Sequence, residues 1–168
     1  MSVTIPEPER FRSEAYLAVV DDTLSSQTCV FAKEALASLH QISEQGYPLE
    51  ICGLLLGTSD INGWKVSEVR QVENLNQERA ADRFQLDPAG FQAIDKELRG
   101  TGTEIIGVFH SHPDCPAKPS PTDLTSAWEG FVYPIISVCE GVVADMNCWV
   151  VTDDVANGGR FQKLPHCV

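Results

Sequence analysis

Apolar residues recur at two different spacings along this chain, and the switches between them mark out its elements. Phe31, Ala35, Leu39 and Ile42 fall at helical intervals, with Gly46 as a stop, which predicts a core helix over 28–44. Residues 51–56 form a short apolar run that predicts a strand, and 64–72 alternate enough for a second. Between them, Asp60-Ile61-Asn62-Gly63 is a turn whose Asn-Gly pair suits a hairpin. Residues 74–85 are polar and charged and read as irregular. Asp87-Pro88 opens a second helix with Phe91, Ile94 and Leu98 on one face and Gly100 at its end. The β-branched run 104–109 reads as a buried strand, and 133–139, 146–152 and 160–164 as closing strands. Strands interleaved with helices indicate an α/β sandwich. Residues 1–14, rich in Pro and Glu, are expected to be a flexible N-terminal segment. No internal repeat or low-complexity segment interrupts the pattern.

The strand over 104–109 runs into the chemistry. Its continuation, His110-Ser111-His112-Pro113, holds two of the four histidines. On a strand, residues i and i+2 point to one face, so both imidazoles can aim at one metal ion. Pro113 then ends the ladder, because it has no N–H to donate. A proline-rich loop leads to Ser120-Pro121-Thr122-Asp123, a pattern that caps a helix start. Two imidazoles and one carboxylate are a common protein set for catalytic zinc. Each signal also has a plain reading, a polar strand end and an ordinary helix cap, and the cap and the ligand role of Asp123 are compatible.

The segment His110-x-His112-Pro113 followed by Ser120-x-x-Asp123 resembles the JAMM motif of MPN-domain metalloproteases. Tyr47-Pro48-Leu49-Glu50-Ile51-Cys52-Gly53-Leu54-Leu55-Leu56-Gly57 resembles that family's glutamate-bearing upstream segment, and the resemblance runs from about Phe31 to Val151. It is nearest to the compact bacterial members. The resemblance implies an α/β MPN fold, a mixed curved β-sheet flanked by helices with cytidine-deaminase-like layering, occupying 15–168 as a single domain. It implies zinc held by His110, His112 and Asp123, with Glu50 as general acid/base and Ser120 as a helper at the oxyanion. It further implies a peptidase or isopeptidase acting at the C-terminal Gly-Gly tail of a ubiquitin-like sulfur carrier protein. In the family the stretch equivalent to 74–84 lies beside the site, with Asn76 near it. The segment after Asp123, Trp128-Glu129-Gly130-Phe131, is short where deubiquitinating relatives carry an insertion, which weighs against polyubiquitin as substrate. Two other functions are set against this one. A metal-free MPN scaffold that only binds partners usually lacks one or more of the five motif residues, all kept here. A DNA-repair branch with a related motif carries a helical DNA-binding extension, for which neither length nor charge leaves room.

Composition narrows the partners. The 168 residues suffice for one core, and the net charge of −12, with 12 basic against 24 acidic residues, argues against nucleic acid. No run of 18 apolar residues predicts a membrane span, and the polar N-terminus lacks a signal-peptide core, so a cytoplasmic location is expected. None of the six cysteines forms a Cys-x-x-Cys pair. Cys52, Cys139 and Cys148 fall in apolar runs and are expected to be buried, and Cys167 to be exposed. Cys115, in the loop between the histidines and Asp123, is open to two readings: an oxidisable thiol beside the metal, or a loop thiol without a role.

Overall fold

The structure, a computed structural model, describes residues 3–76, 83–152 and 159–168. A 3-10 turn, Glu9–Arg12, leads into a short helix α1, Glu14–Ala18. Then follow β1 Val20–Leu24, β2 Thr28–Phe31, α2 Lys33–Gly46, β3 Cys52–Asp60, β4 Gly63–Val72 and α3 Pro88–Leu98. The second half holds β5 Glu104–Pro113, α4 Pro121–Thr125, β6 Val132–Cys139, β7 Val142–Val151, β8 Phe161–Leu164 and β9 His166–Cys167.

Among the described residues, nine strands belong to one mixed sheet in the order β1-β8-β7-β6-β5-β3-β4-β2-β9. That order forces curvature. Laid flat, β8 and β9 would stand roughly 34 Å apart at the usual strand spacing, yet Pro165 alone connects them. One residue spans under ~4 Å, so the sheet rolls until its two sides meet. The Pro165 carbonyl accepts from Cys29 N–H at 3.0 Å, and Ser25 N–H donates to the Lys163 carbonyl at 2.8 Å, stitching the two sides together.

Three apolar clusters fill the layers. Ala35 and Leu39 of α2 pack with Phe31, Leu55, Val66, Phe109, Ile136 and Val138 on one face. On the other face, Phe91, Ile94 and Leu98 of α3 cover Leu54, Leu56 and Val72. A third cluster joins Tyr133, Ile135, Trp149 and Phe161 to Ala117. Alternate residues of β3 and β6 therefore serve opposite clusters. This two-sided burial explains why those strands read as continuous apolar runs rather than alternating ones.

The helix expected over 28–44 is corrected to Lys33–Gly46. Residues 28–31 instead pair in parallel with β4, from Thr28 opposite Gly63 to Phe31 opposite Val66. Cys29 and Phe31 face inward while Val30 faces out, a period of two hidden inside the start of a period near four. The hairpin at Asp60–Gly63 and helix α3 stand where expected, with the Asp87 side chain capping α3 by accepting from Ala89 N–H at 3.0 Å. The final pieces, β1 and β9, had no clear signal in the sequence. The segment expected to be flexible, 1–14, carries the Glu9–Arg12 turn, and Phe11 within it is 5% exposed.

Candidate metal centre

β5 and β3 are antiparallel neighbours, with His110 opposite Cys52. One step beyond, Ser111 N–H donates to the Ile51 carbonyl at 3.0 Å and Ile51 N–H donates to Ser111 Oγ at 2.9 Å. Directly opposed residues share a face. Continuing that register sets Glu50 across from His112, on the histidine side of the sheet. Glu50, His110, His112 and Ser120 are all buried. Glu50 Oε1 lies 3.8 Å from His112 Nε2.

Asp123 arrives from the other side. After Pro113 the chain loops back over the end of β6 and enters α4, a single turn. Ser120 Oγ accepts from Asp123 N–H at 3.1 Å, while Asp123 Oδ2 accepts from Ser120 N–H at 2.8 Å, a complete capping box. The box turns the carboxylate inward, where Oδ2 is 3.4 Å from His110 Nε2 and 3.9 Å from His112 Nε2. The two Nε2 atoms are 3.0 Å apart.

The loop that carries this return is clamped from below. Ser137 Oγ donates to the Cys115 carbonyl at 2.7 Å, and Asn147 Nδ2 and Trp149 Nε1 both donate to the Ala117 carbonyl at 3.2 Å. Tyr47 Oη lies 2.9 and 2.8 Å from the carboxylate oxygens of Asp114, joining the Glu50 segment to the same loop. The loop also orients its histidine. His112 Nδ1 is 2.8 Å from the Pro116 carbonyl; a carbonyl only accepts, so Nδ1 bears the hydrogen and Nε2 presents its lone pair to the centre. His110 Nδ1 has no hydrogen-bond partner among the described residues, and its ring is fixed by packing, with Phe84 stacked on it at 4.4 Å between centroids. Phe11 meets the His112 ring edge-on at 6.1 Å. Nothing in the local sequence pattern marked Phe11, Phe84, Ser137, Asn147 or Trp149 as belonging to this site.

Electrostatics divide the histidines. Burial and the charge of His110 beside it push His112 down to about 4. Burial acts downward on His110 too, but the Asp123 carboxylate and, less, Glu50 outweigh it and raise its pKa. Burial would raise Asp123, yet the two imidazoles and the Ser120 N–H together hold it well below the usual carboxylate range. The site thus concentrates ionised carboxylate around a point where positive charge is welcome.

These donors fit a zinc ion. In a tetrahedral zinc site with bonds of ~2.0–2.1 Å, ligand atoms stand ~3.3 Å apart. The 3.0, 3.4 and 3.9 Å edges of the triangle formed by His110 Nε2, His112 Nε2 and Asp123 Oδ2 bracket that value. Glu50, His110 and His112 also bring ligand atoms within 4.8 Å of one another, so a second carboxylate borders the same point. Cys115 lines the cleft, but it is buried, and burial pushes its thiol up to about 12, so it stays protonated at neutral pH. Of the two readings of Cys115, the geometry favours the inert one.

A cleft of about 460 Å³ opens over the four residues. Phe84, Leu86, Phe91 and Trp128 make its apolar wall, and Arg10, Phe11 and Tyr16 line it from the N-terminal segment. Trp128 is 55% exposed and stands between Phe91 and Phe131 in an aromatic row.

A rolled mixed sheet, a His-x-His strand end and a capped aspartate returning beside it define a domain of the JAB/MPN class. The chain belongs to the prokaryotic homologs of the JAB domain, a family that matches it over residues 32–152. It is similar to a desampylase of Haloferax volcanii, 38% identical over 92 residues that cover 54% of this chain and 63% of that protein. The match thus spans less than two thirds of the Haloferax protein's length. A desampylase of Pyrococcus furiosus is 30% identical over 107 residues, covering 62% of this chain and 69% of the relative. A solution structure of a protein from Desulfitobacterium hafniense superposes with a TM-score of 0.67 at 27% identity, covering 82% of this chain and 92% of that one.

Proposed function

We propose that this protein is a zinc-dependent peptidase or isopeptidase of the JAMM type, acting at the C-terminal Gly-Gly tail of a ubiquitin-like sulfur carrier protein. The observation that carries the reading is the convergence of His110, His112 and Asp123 within 3.0–3.9 Å of one another, with Glu50 3.8 Å from His112, at the floor of a cleft. The likeness to two desampylases supports a ubiquitin-like substrate.

A zinc ion held by His110, His112 and Asp123 would supply Lewis acidity toward water and toward the scissile carbonyl. The protein's own groups do the rest. Glu50, buried beside the histidines, takes a proton from the attacking water and passes it to the departing nitrogen. Ser120 Oγ spends its acceptor on Asp123 N–H, so its hydroxyl hydrogen remains available to the oxygen that becomes negative. The Pro116 carbonyl and the Phe84 ring hold the two imidazoles in place. The apolar wall excludes water from one side. An extended tail enters such a cleft easily, and glycines beside the scissile bond let its backbone approach the floor closely.

The test is mass spectrometry of a Gly-Gly carrier bearing a C-terminal extension, incubated with zinc-loaded enzyme and with Glu50→Gln. Release of the extension by the wild type alone, abolished by a chelator, is the expected result. No mass change with any Gly-Gly carrier, from protein that holds zinc, would instead favour the scaffold reading.

A further inference from the structure

The wall of the cleft on the His112 side lies outside the family match, which begins at residue 32. It comes from the segment around Glu9–Arg12. Phe11 buries its ring against His112, Glu7 Oε1 lies 3.6 Å from Lys118 Nζ in the metal loop, and Arg10 lines the cleft. The segment is therefore docked on the loop that carries the centre, with a cation facing the opening.

Arg10 makes no ion pair among the described residues. Its guanidinium carbon sits 5.1 Å from the Phe11 ring, and that ring is 6.1 Å from His112. Its charge acts on both His112 and Cys115. Arg10 and Arg83 are the cationic side chains that line the cleft among the described residues, and the planar fork of a guanidinium matches a carboxylate. The reach is suitable: the contacts through Phe11 keep the Arg10 guanidinium within about 11 Å of the His112 ring, and an extended chain advancing ~3.3–3.6 Å per residue covers that limit in about three residues.

We propose that Arg10 receives the free α-carboxylate of a short C-terminal extension, and so favours removal of such extensions over cleavage of isopeptide bonds to folded targets. This rests on the peptidase reading given above. The reaction is hydrolysis: the Gly C–N bond breaks, the oxygen of water joins the glycine carbonyl carbon, and its proton goes to the departing amine. An isopeptide-linked lysine presents no terminal carboxylate at this position, so it gains nothing from Arg10.

Two measurements decide it. In the first, the carrier ending Gly-Gly-Ala is offered as free acid and as C-terminal amide, with alanine chosen because it does not bind zinc. The wild type is expected to prefer the acid by about tenfold or more in kcat/KM, the usual worth of a hydrogen bond to a charged group. Arg10→Gln should bring the acid-to-amide ratio close to one, and Arg10→Lys should restore part of it. In the second, calorimetry with zinc-loaded Glu50→Gln follows binding of the Gly-Gly-Ala peptide in both forms, with and without Arg10→Gln. Tighter binding of the acid, lost with Arg10→Gln, supports the proposal. Equal binding of acid and amide, an equal slowing of both substrates by Arg10→Gln, or loss of the preference on Arg83→Gln, a substitution of the other arginine that lines the cleft, overturns it. If the wild type cuts neither substrate, the peptidase reading fails, and the binding measurement still decides the role of Arg10.

Discussion

His110 and His112 are two residues apart and chemically unlike. His112 is oriented by a carbonyl and driven toward its neutral form, with its pKa pushed to about 4 by burial and by His110. His110 is wedged under Phe84 and held toward its charged form by Asp123. The two carboxylates differ as well. Asp123 is bound into a capping box and faces both imidazoles, whereas Glu50 borders His112 from the segment that leads into β3. This asymmetry motivates the division of labour proposed for them. Glu50→Gln is expected to keep one zinc per chain and lose at least ~10²-fold in turnover, the usual scale for a general base. Asp123→Ala is expected to lose the metal. Elemental analysis beside a rate assay separates the two, and full zinc retention by Asp123→Ala would reassign the third ligand to Glu50.

Among the elements, the loop from Pro113 to Ser120 matters more than any helix. It has little regular structure of its own, and it is held by side chains of β6 and β7 reaching up to its carbonyls. Trp149 Nε1–H is one such tie, and the ring beside it belongs to the third apolar cluster. Trp149→Phe keeps most of the packing and deletes the donor. A lost buried hydrogen bond costs ~1 kcal/mol. The variant should therefore melt at lower temperature and surrender zinc to a competing chelator sooner than the wild type. Unchanged melting and unchanged zinc retention would mean that Asn147, which donates to the same carbonyl, suffices alone.

The rolled sheet buries groups whose charged forms it cannot solvate. Burial pushes Cys52, Cys115 and Tyr133 each up to about 12. Each releases its proton more easily in the unfolded chain than in the folded one. The stability they contribute is fully present below their ordinary pKa values and is lost as pH rises from about 9 toward 12. Equilibrium denaturation at a series of alkaline pH values should show a decline that steepens above pH ~9. Cys115→Ala is expected to flatten part of that decline, while a curve identical to the wild type would remove Cys115 from the account. Among the described residues, no helix is long and apolar enough to cross a membrane.

Local order in the sequence was enough to expose half of the candidate centre. A period of two puts His110 and His112 on one face, proline ends their strand, and Ser120-x-x-Asp123 writes its own cap, because all three depend on residues within a few positions of each other. For the same reason α3 and the Asn62-Gly63 hairpin were legible. Glu50 was legible only through a family resemblance. Among 24 acids nothing local distinguishes it, and its place is decided by the register that sets Cys52 opposite His110, a pairing across nearly sixty residues. The 28–31 strand was missed because its partner, β4, outweighs a helical spacing that continues into α2. Phe84 was reached only as the end of a stretch that the family resemblance sets beside the site, and Phe11 and Arg10 are farther still from legibility. Side chains that close a cleft obey no period, and they meet only when the sheet rolls and brings the N-terminal turn against the loop from Pro113 to Ser120. Short-range sterics and hydrogen bonding wrote the strands, caps and histidine pair into the sequence, while long-range pairing, which must first offset the entropy of closing large loops, decided which of the acids and aromatics surround them.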